Sequence, residues 1–235
     1  MEKIPATKMK TIIIANGNFN NSINTEKSLV IAADGGANAA IKAGIKIDVA
    51  IGDFDSALPE NIKKLTMQGV KLIKYPADKD KTDLELAIRY AVDNNASEIL
   101  IYGALGKRAD MTISNITAAS VFGINNKISI IDNNQEITFI FPNKKAEYIG
   151  NNKDTISLIP LSYEVCGITA TGLEYPLKNE TLRFGSTKGV SNKFKKNKAV
   201  ITTASGILLC VRREEDRKKD TEIQRKIGEE RSKRI

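Results

Sequence analysis

The chain contains no histidine and no tryptophan, and it has only two cysteines. Without histidine there is no Ser-His-Asp or Cys-His triad and no histidine-based zinc site. Acid–base work and metal binding therefore fall to carboxylates. No apolar run approaches the roughly eighteen residues that a membrane-spanning helix needs. The cysteines, Cys166 and Cys210, sit in the apolar contexts EVCGI and LLCVR. The start of the chain is polar, without an apolar core or small-residue cleavage site. Together these features lead us to expect reduced thiols in a cytoplasmic protein that does not enter membranes.

What is present is the composition of an ordinary globular protein: 235 residues, 41% hydrophobic and 27% charged. That is enough for one large domain or two modest ones. The formal net charge of +8 suits a polyanionic partner, either a nucleic acid or a nucleotide. From Arg212 onward the chain is almost wholly charged, with both signs mixed. Mixed signs favour a solvated tail over a nucleic-acid surface, so no nucleic-acid partner is expected.

Apolar runs at 11–15, 29–33, 48–51, 70–74, 99–102, 128–131 and 137–141 read as strands. Helical patterns at 37–43, 59–68, 84–92 and 111–122 fall between them. The alternation predicts a doubly wound, mostly parallel α/β sheet domain over 1–142. Beyond it, short alternating runs at 155–160, 181–184, 198–203 and 207–211 predict a smaller all-β sandwich domain over 143–211. Residues 212–235 form the charged tail.

In an open parallel sheet, ligands bind beyond the carboxyl ends of the strands. Four loops there carry chemistry. Ala33-Asp34-Gly35-Gly36-Ala37-Asn38 opens a helix; its glycines allow close backbone approach to a ligand, or else Asp34 simply caps the helix. Gly52-Asp53-Phe54-Asp55-Ser56 places two carboxylates two residues apart, so that an extended backbone turns both to one side with Phe54 opposite. A hard divalent cation such as magnesium would relieve their repulsion. In Asp78–Glu85, Thr82 and Glu85 fit a capping box, which leaves Asp80 and Asp83 unexplained. An EF-hand is excluded, because Asp83 stands at the glycine position and Arg89 at the final glutamate position. Gly103–Asp110 offers glycines, Lys107 and Arg108 at a helix start, as phosphate binding requires, without Walker A spacing. Phosphoryl transfer depends mainly on positioning and charge neutralisation, so a site without histidine suits it.

Five segments, ADGGAN (33–38), GDFDS (52–56), KTDLELA (81–87), GALGKRAD (103–110) and GVSNKF (189–194), occur in an order that resembles the thiamine pyrophosphokinase family over nearly all of residues 10–211. The resemblance implies a homodimer that transfers a pyrophosphoryl group from ATP to the hydroxyl of thiamine. It implies that Asp53, Asp55 and Asp83 hold Mg2+ with the ATP phosphates. Asp34, Gly35, Thr82, Arg108 and Asp110 would line the nucleotide and pyrophosphate site. Asp80 would contact thiamine, and Ser191 and Asn192 from the β domain would reach it across the dimer. Arg108 would offset charge on the transferred group, with Asp110 or Asp80 as proton acceptors. Two positions depart from the family loop GGRxDH: Lys107 replaces a glycine and Met111 a polar side chain. With no tryptophan, stacking on thiamine falls to residues such as Tyr175, Phe184 or Phe194. Two other readings compete. VAIGDFDSA approaches the DxDx[TV] motif of haloacid-dehalogenase-type phosphatases, with Asp53 as nucleophile but Ala57 where Thr or Val is expected. A non-catalytic thiamine-phosphate binding protein is the other.

Overall fold

The computed structural model describes residues 9–17, 19, 23–106 and 108–215, arranged as two compact units that divide between Phe141 and Pro142. Lys107 and most of the charged tail lie outside the described residues, although Arg212 and Arg213 belong to the last strand.

The first unit is a mixed sheet flanked by helices. Its strands are β1 (Met9–Ile14), β2 (Ser28–Ala33), β3 (Val49–Gly52), β4 (Lys71–Lys74), β5 (Ala96–Tyr102), β6 (Ile128–Asp132) and β7 (Gln135–Ile140). They lie in the order β7-β6-β5-β1-β2-β3-β4. All neighbours from β6 to β4 are parallel, and β7 is antiparallel to β6. Asn133, at φ 51°, makes the tight turn of that hairpin. The central strands are buried on both faces: Ile12, Ile13 and Ile14 are fully buried, and the polar Thr11 and Ser129 are enclosed with them.

Among the described residues, four helices connect the strands: α1 (Gly36–Lys42), α2 (Pro59–Met67), α3 (Asp83–Asp93) and α4 (Ala109–Gly123). Each starts for a local reason. Pro59 pre-sets the first turn of α2. The Thr82 side chain caps α3 by accepting from Glu85 N. Helix α1 lays Ala37 and Ala40 on Ile12, Ile14, Val30 and Ala32, with Leu65 of α2 closing the same cluster. Leu84, Ala87, Ile88 and Ala91 form the buried stripe of α3, which packs on β1, β2, β3 and β5.

The second unit is an antiparallel β sandwich. One layer pairs β9 (Thr155–Pro160) with β14 (Leu208–Arg213) and the short β12 (Asn192–Lys193). The other has the order β11 (Leu177–Arg183), β10 (Glu164–Thr171), β13 (Lys198–Thr202), β8 (Lys145–Ile149). Buried and partly exposed residues alternate along β9, as the period of two requires. Cys210 is buried and Cys166 half-buried, and neither is in a disulfide. Phe194 corrects one expectation. It is 2% exposed and lies against Gly150, so it serves the core and cannot stack on a ligand. Tyr175 and Phe184 are exposed. Among the described residues no helix is long and apolar enough to cross a membrane.

Candidate active site

The strand order reverses between β1 and β5: the chain moves one way from β1 to β4 and returns to the other side of β1 for β5 and β6. At that point the loops after the two strands part, which is where such sheets bind ligands. Backbone bonds hold them side by side, from Ala15 N to Tyr102 O (2.8 Å) and from Gly17 N to Gly103 O (2.8 Å). A cavity of about 580 Å³ opens here. Its walls are Ala15–Gly17, Asp34, Asp53, Asp55, Asp83, Gly103–Gly106 and the first turns of α4.

Three of its carboxylates converge. Asp34 follows β2, Asp53 follows β3 and Asp83 begins α3, and each offers an oxygen within 4.8 Å of the other two. Asp34 does not cap α1, as one reading of its loop had it. The cap position is Gly35, without a side-chain hydrogen bond, and Asp34 takes a left-handed φ of 45°. Its carboxylate is thereby turned inward, with Oδ1 buried and unpartnered. A buried anionic oxygen without a partner is costly, and a cation shared with two further carboxylates would supply what is missing. The donor set, all oxygen, is that of a hard divalent metal.

The GDFDS segment is not extended. Phe54 sits at φ 64°, and the Asp55 N–H folds back to Asp53 Oδ1 at 3.1 Å. Phe54 packs into the α1/α2 core. Asp55 still lines the cavity but lies outside the three-carboxylate cluster, and its Oδ1 accepts from Ser56 Oγ at 3.0 Å. Asn38 of α1 anchors the loop, donating to Ser56 O and accepting from Leu58 N and Asn61 Nδ2.

Lys79 was not singled out in the sequence, where it is one lysine among aspartates. Its ammonium lies 3.1 Å from Asp53 Oδ2 and 3.0 Å from Asp83 Oδ1. The two carboxylates respond differently to this shared partner. The Asp55 N–H and then Lys79 hold Asp53 below its ordinary value. Burial outweighs Lys79 at Asp83, and the charges of Asp53 and Asp34 add to it, so Asp83 is raised. Lys79 itself is raised: burial opposes its charge, but the bonds to Asp83 and Asp53 prevail.

A raised folded pKa means that ionised Asp83 destabilises the metal-free fold. That penalty is absent below the ordinary value of 3.8 and complete above the raised pKa. Asp83→Asn is therefore expected to raise the metal-free Tm at pH 7, with the gain vanishing towards pH 3.8. Paired melts of the two proteins in chelator across that range check the sign.

The other expected site residues are spread. Arg108 lines the cavity and pairs with Asp110 at 2.6 Å, both exposed. That bond holds Asp110 below the usual carboxylate range. Met111 and Thr112 line the wall, and Thr112 Oγ1 accepts from Gly106 N at 3.2 Å. Asp80 is exposed, and the Thr82 hydroxyl is occupied in capping α3. In the sandwich unit, Ser191 is exposed at φ 58° and donates its N–H to Ser157 Oγ. Asn192 is buried. Its Oδ1 accepts from Tyr175 N and Lys193 N, and its Nδ2 donates to Tyr175 O at 2.6 Å. That geometry makes Asn192 the support of the Tyr175 loop, not an exposed contact. Asn16 and Asn115 complete the cavity wall, and neither was anticipated. Asn115 donates to Ala104 O at 2.7 Å and so steadies the loop after β5.

A strand–helix unit that gathers carboxylates, backbone N–H groups and a guanidinium at the switch point of a parallel sheet has the build of a phosphoryl-transfer enzyme. The family profile "Thiamin pyrophosphokinase, catalytic domain" matches residues 20–131, and "Thiamin pyrophosphokinase, vitamin B1 binding domain" matches residues 138–208. The thiamine pyrophosphokinase of Bacillus subtilis (strain 168) is 35% identical over 211 residues, covering 87% of this chain and 99% of the relative. A crystal structure of the Bacillus subtilis thiamine pyrophosphokinase superposes with a TM-score of 0.78 at 31% identity, over 88% of this chain and 100% of that one. The Geobacillus thermodenitrificans thiamin pyrophosphokinase superposes with a TM-score of 0.77 at 28% identity, over 89% and 99%. The chain belongs to the thiamine pyrophosphokinase family.

Proposed function

We propose that this protein transfers the diphosphoryl group of ATP to the hydroxyl of thiamine, with Mg2+ held by Asp34, Asp53 and Asp83. The convergence of those three carboxylates around the unpartnered Asp34 Oδ1 carries the reading. A divalent cation there neutralises charge, so that a triphosphate can approach an acidic wall. Asp55, expected from the family resemblance among the metal ligands, lines the same cavity and is assigned to the outer shell of that ion.

The chain's own groups do the rest. The backbone of the loops after β1 and β5 borders the polyphosphate, and Arg108 offers a guanidinium to the group in flight. The thiamine oxygen forms a bond to the β-phosphorus while the bond to the α,β-bridging oxygen breaks, and AMP leaves with that electron pair. Asp110, held ionised by Arg108, is a weak base, so the hydroxyl proton leaves late, to solvent or to the exposed Asp80. Ser191 and Tyr175, exposed on the sandwich unit, are assigned to thiamine across the homodimer, with Asn192 holding Tyr175 in place.

The family resemblance carries with it a cytoplasmic homodimer, and sedimentation at twice the 25.7 kDa chain mass tests the dimer. No observation favours the phosphatase or the non-catalytic reading. Asp53 has one oxygen bound by a backbone N–H and the other by an ammonium, which suits a fixed anion better than a nucleophile. The decisive assay incubates the protein with ATP, Mg2+ and thiamine. AMP and thiamine diphosphate appearing in equal amounts is the expected result, and inorganic phosphate without thiamine diphosphate would refute the reading.

A further inference from the structure

We propose that Lys79 is the resident cation of the carboxylate cluster, holding Asp53 and Asp83 together when metal is absent and competing with metal for them. The inference rests on the metal site assigned above. The ammonium donates to Asp53 Oδ2 at 3.1 Å and to Pro76 O at 3.2 Å, and it forms an ion pair with Asp83 Oδ1 at 3.0 Å. The side chain is 13% exposed, against 15% for Asp53 and 22% for Asp83, so this is not a solvated surface pair of little consequence. The bond to Pro76 O folds the lysine back onto its own loop and fixes the ammonium at the cluster.

Lys79 pairs with two of the three carboxylates, and Asp83 Oδ1, though ion-paired, still lacks a hydrogen bond. Asp34 Oδ1 keeps its buried, unpartnered state. The metal-free cluster is therefore held together but not satisfied. A divalent ion that joins all three carboxylates must share Asp53 and Asp83 with a positive charge already bound to them, and like charges at such separations repel strongly in a partly buried site. Metal alone thus binds weakly. Metal arriving on a polyphosphate fares better, because anionic oxygens receive the ammonium, which its flexible four-carbon stem can deliver. Lys79 is in this sense a positioning residue that favours metal brought by nucleotide over metal from bulk solution.

The test is a titration of the full chain with Mn2+ alone, read by loss of the free-Mn2+ EPR signal, with melts in chelator and in Mn2+. Lys79→Met is expected to bind Mn2+ at least about tenfold more tightly than wild type. It should also melt several degrees lower in chelator and recover in Mn2+. Lys79→Arg, which keeps the charge, should retain the wild-type affinity and the wild-type melt in chelator. A residue with a purely structural role would not tighten metal binding on removal. If Lys79→Met fails to fold in chelator, folding rescued by Mn2+ supports the proposal and failure of rescue overturns it. Equal or weaker Mn2+ binding by Lys79→Met overturns it while leaving the metal site standing. Absence of Mn2+ binding by wild type and variant alike removes the metal site, and the proposal with it.

Discussion

Asp34→Asn is expected to lower kcat by about 10²–10³-fold while leaving the protein folded. Asparagine is the right probe for a backbone reason. Asp34 sits at φ 45°, a region that Asn adopts readily and most other residues avoid. The substitution keeps the shape and the loop and removes only the charge. In metal-free buffer that charge is one of three crowded carboxylates, so the variant should melt no lower than wild type and somewhat higher. Asp53→Asn should match its loss of turnover. Asp55→Asn separates the structural assignment from the one the family resemblance implies. If the ion is held by Asp34, Asp53 and Asp83, Asp55→Asn loses only about 10- to 100-fold, the range of an outer-shell group. If Asp55 is a direct ligand, its variant falls with Asp53→Asn and Asp34→Asn is the milder. Rates at saturating ATP, with Mg2+ varied, distinguish the two orders.

These residues also show how far the amino-acid pattern reaches. The α/β unit was legible because its central strands are buried on both faces and read as apolar runs, such as Ile12–Ile14 and Val30–Ala33. Its helices carry apolar stripes and start signals such as Thr82 and Pro59. In the sandwich, β8 (KAEYI) and β10 (EVCGITAT) went unread. β8 has a single buried residue, and the register of β10 shifts at a bulge near Gly167, which breaks the period of two. At the site, carboxylates after strands were visible, but their aim was not. Aim depends on the positive φ of Asp34 and Phe54, which turns one aspartate inward and tightens the loop before another. Lys79 and Asn115 act through groups brought near only by the fold. Lys79 joins Asp53, 26 positions earlier, and Asn115 meets a carbonyl 11 positions away.

The largest effect on stability is expected at Gly36, the first residue of α1. A Cβ there would meet Ile14 O at 2.0 Å, Ile14 C at 2.8 Å and Ala15 C at 3.1 Å. All three atoms belong to backbone, at the end of a strand paired on both sides by β2 and β5, so nothing can swing away. To make room, α1 must lift from the sheet and pull Ala37 and Ala40 out of contact with Ile12 and Ile14. It would take Asp34 and Gly35 with it, and the site would open as well. Gly36→Ala should therefore destabilise by about 3 kcal/mol or more, a large share of the ~5–15 kcal/mol that holds a typical domain. Gly44 provides the comparison. It sits at φ +70° with nothing within 4 Å of a built Cβ, so Gly44→Ala bears only the backbone penalty of about 1–2 kcal/mol. Urea unfolding of both variants beside wild type measures the difference. A Gly36→Ala midpoint at or above that of Gly44→Ala would mean that α1 does not rest on β1 as closely as described, and that the wall of the site has more give than its geometry implies.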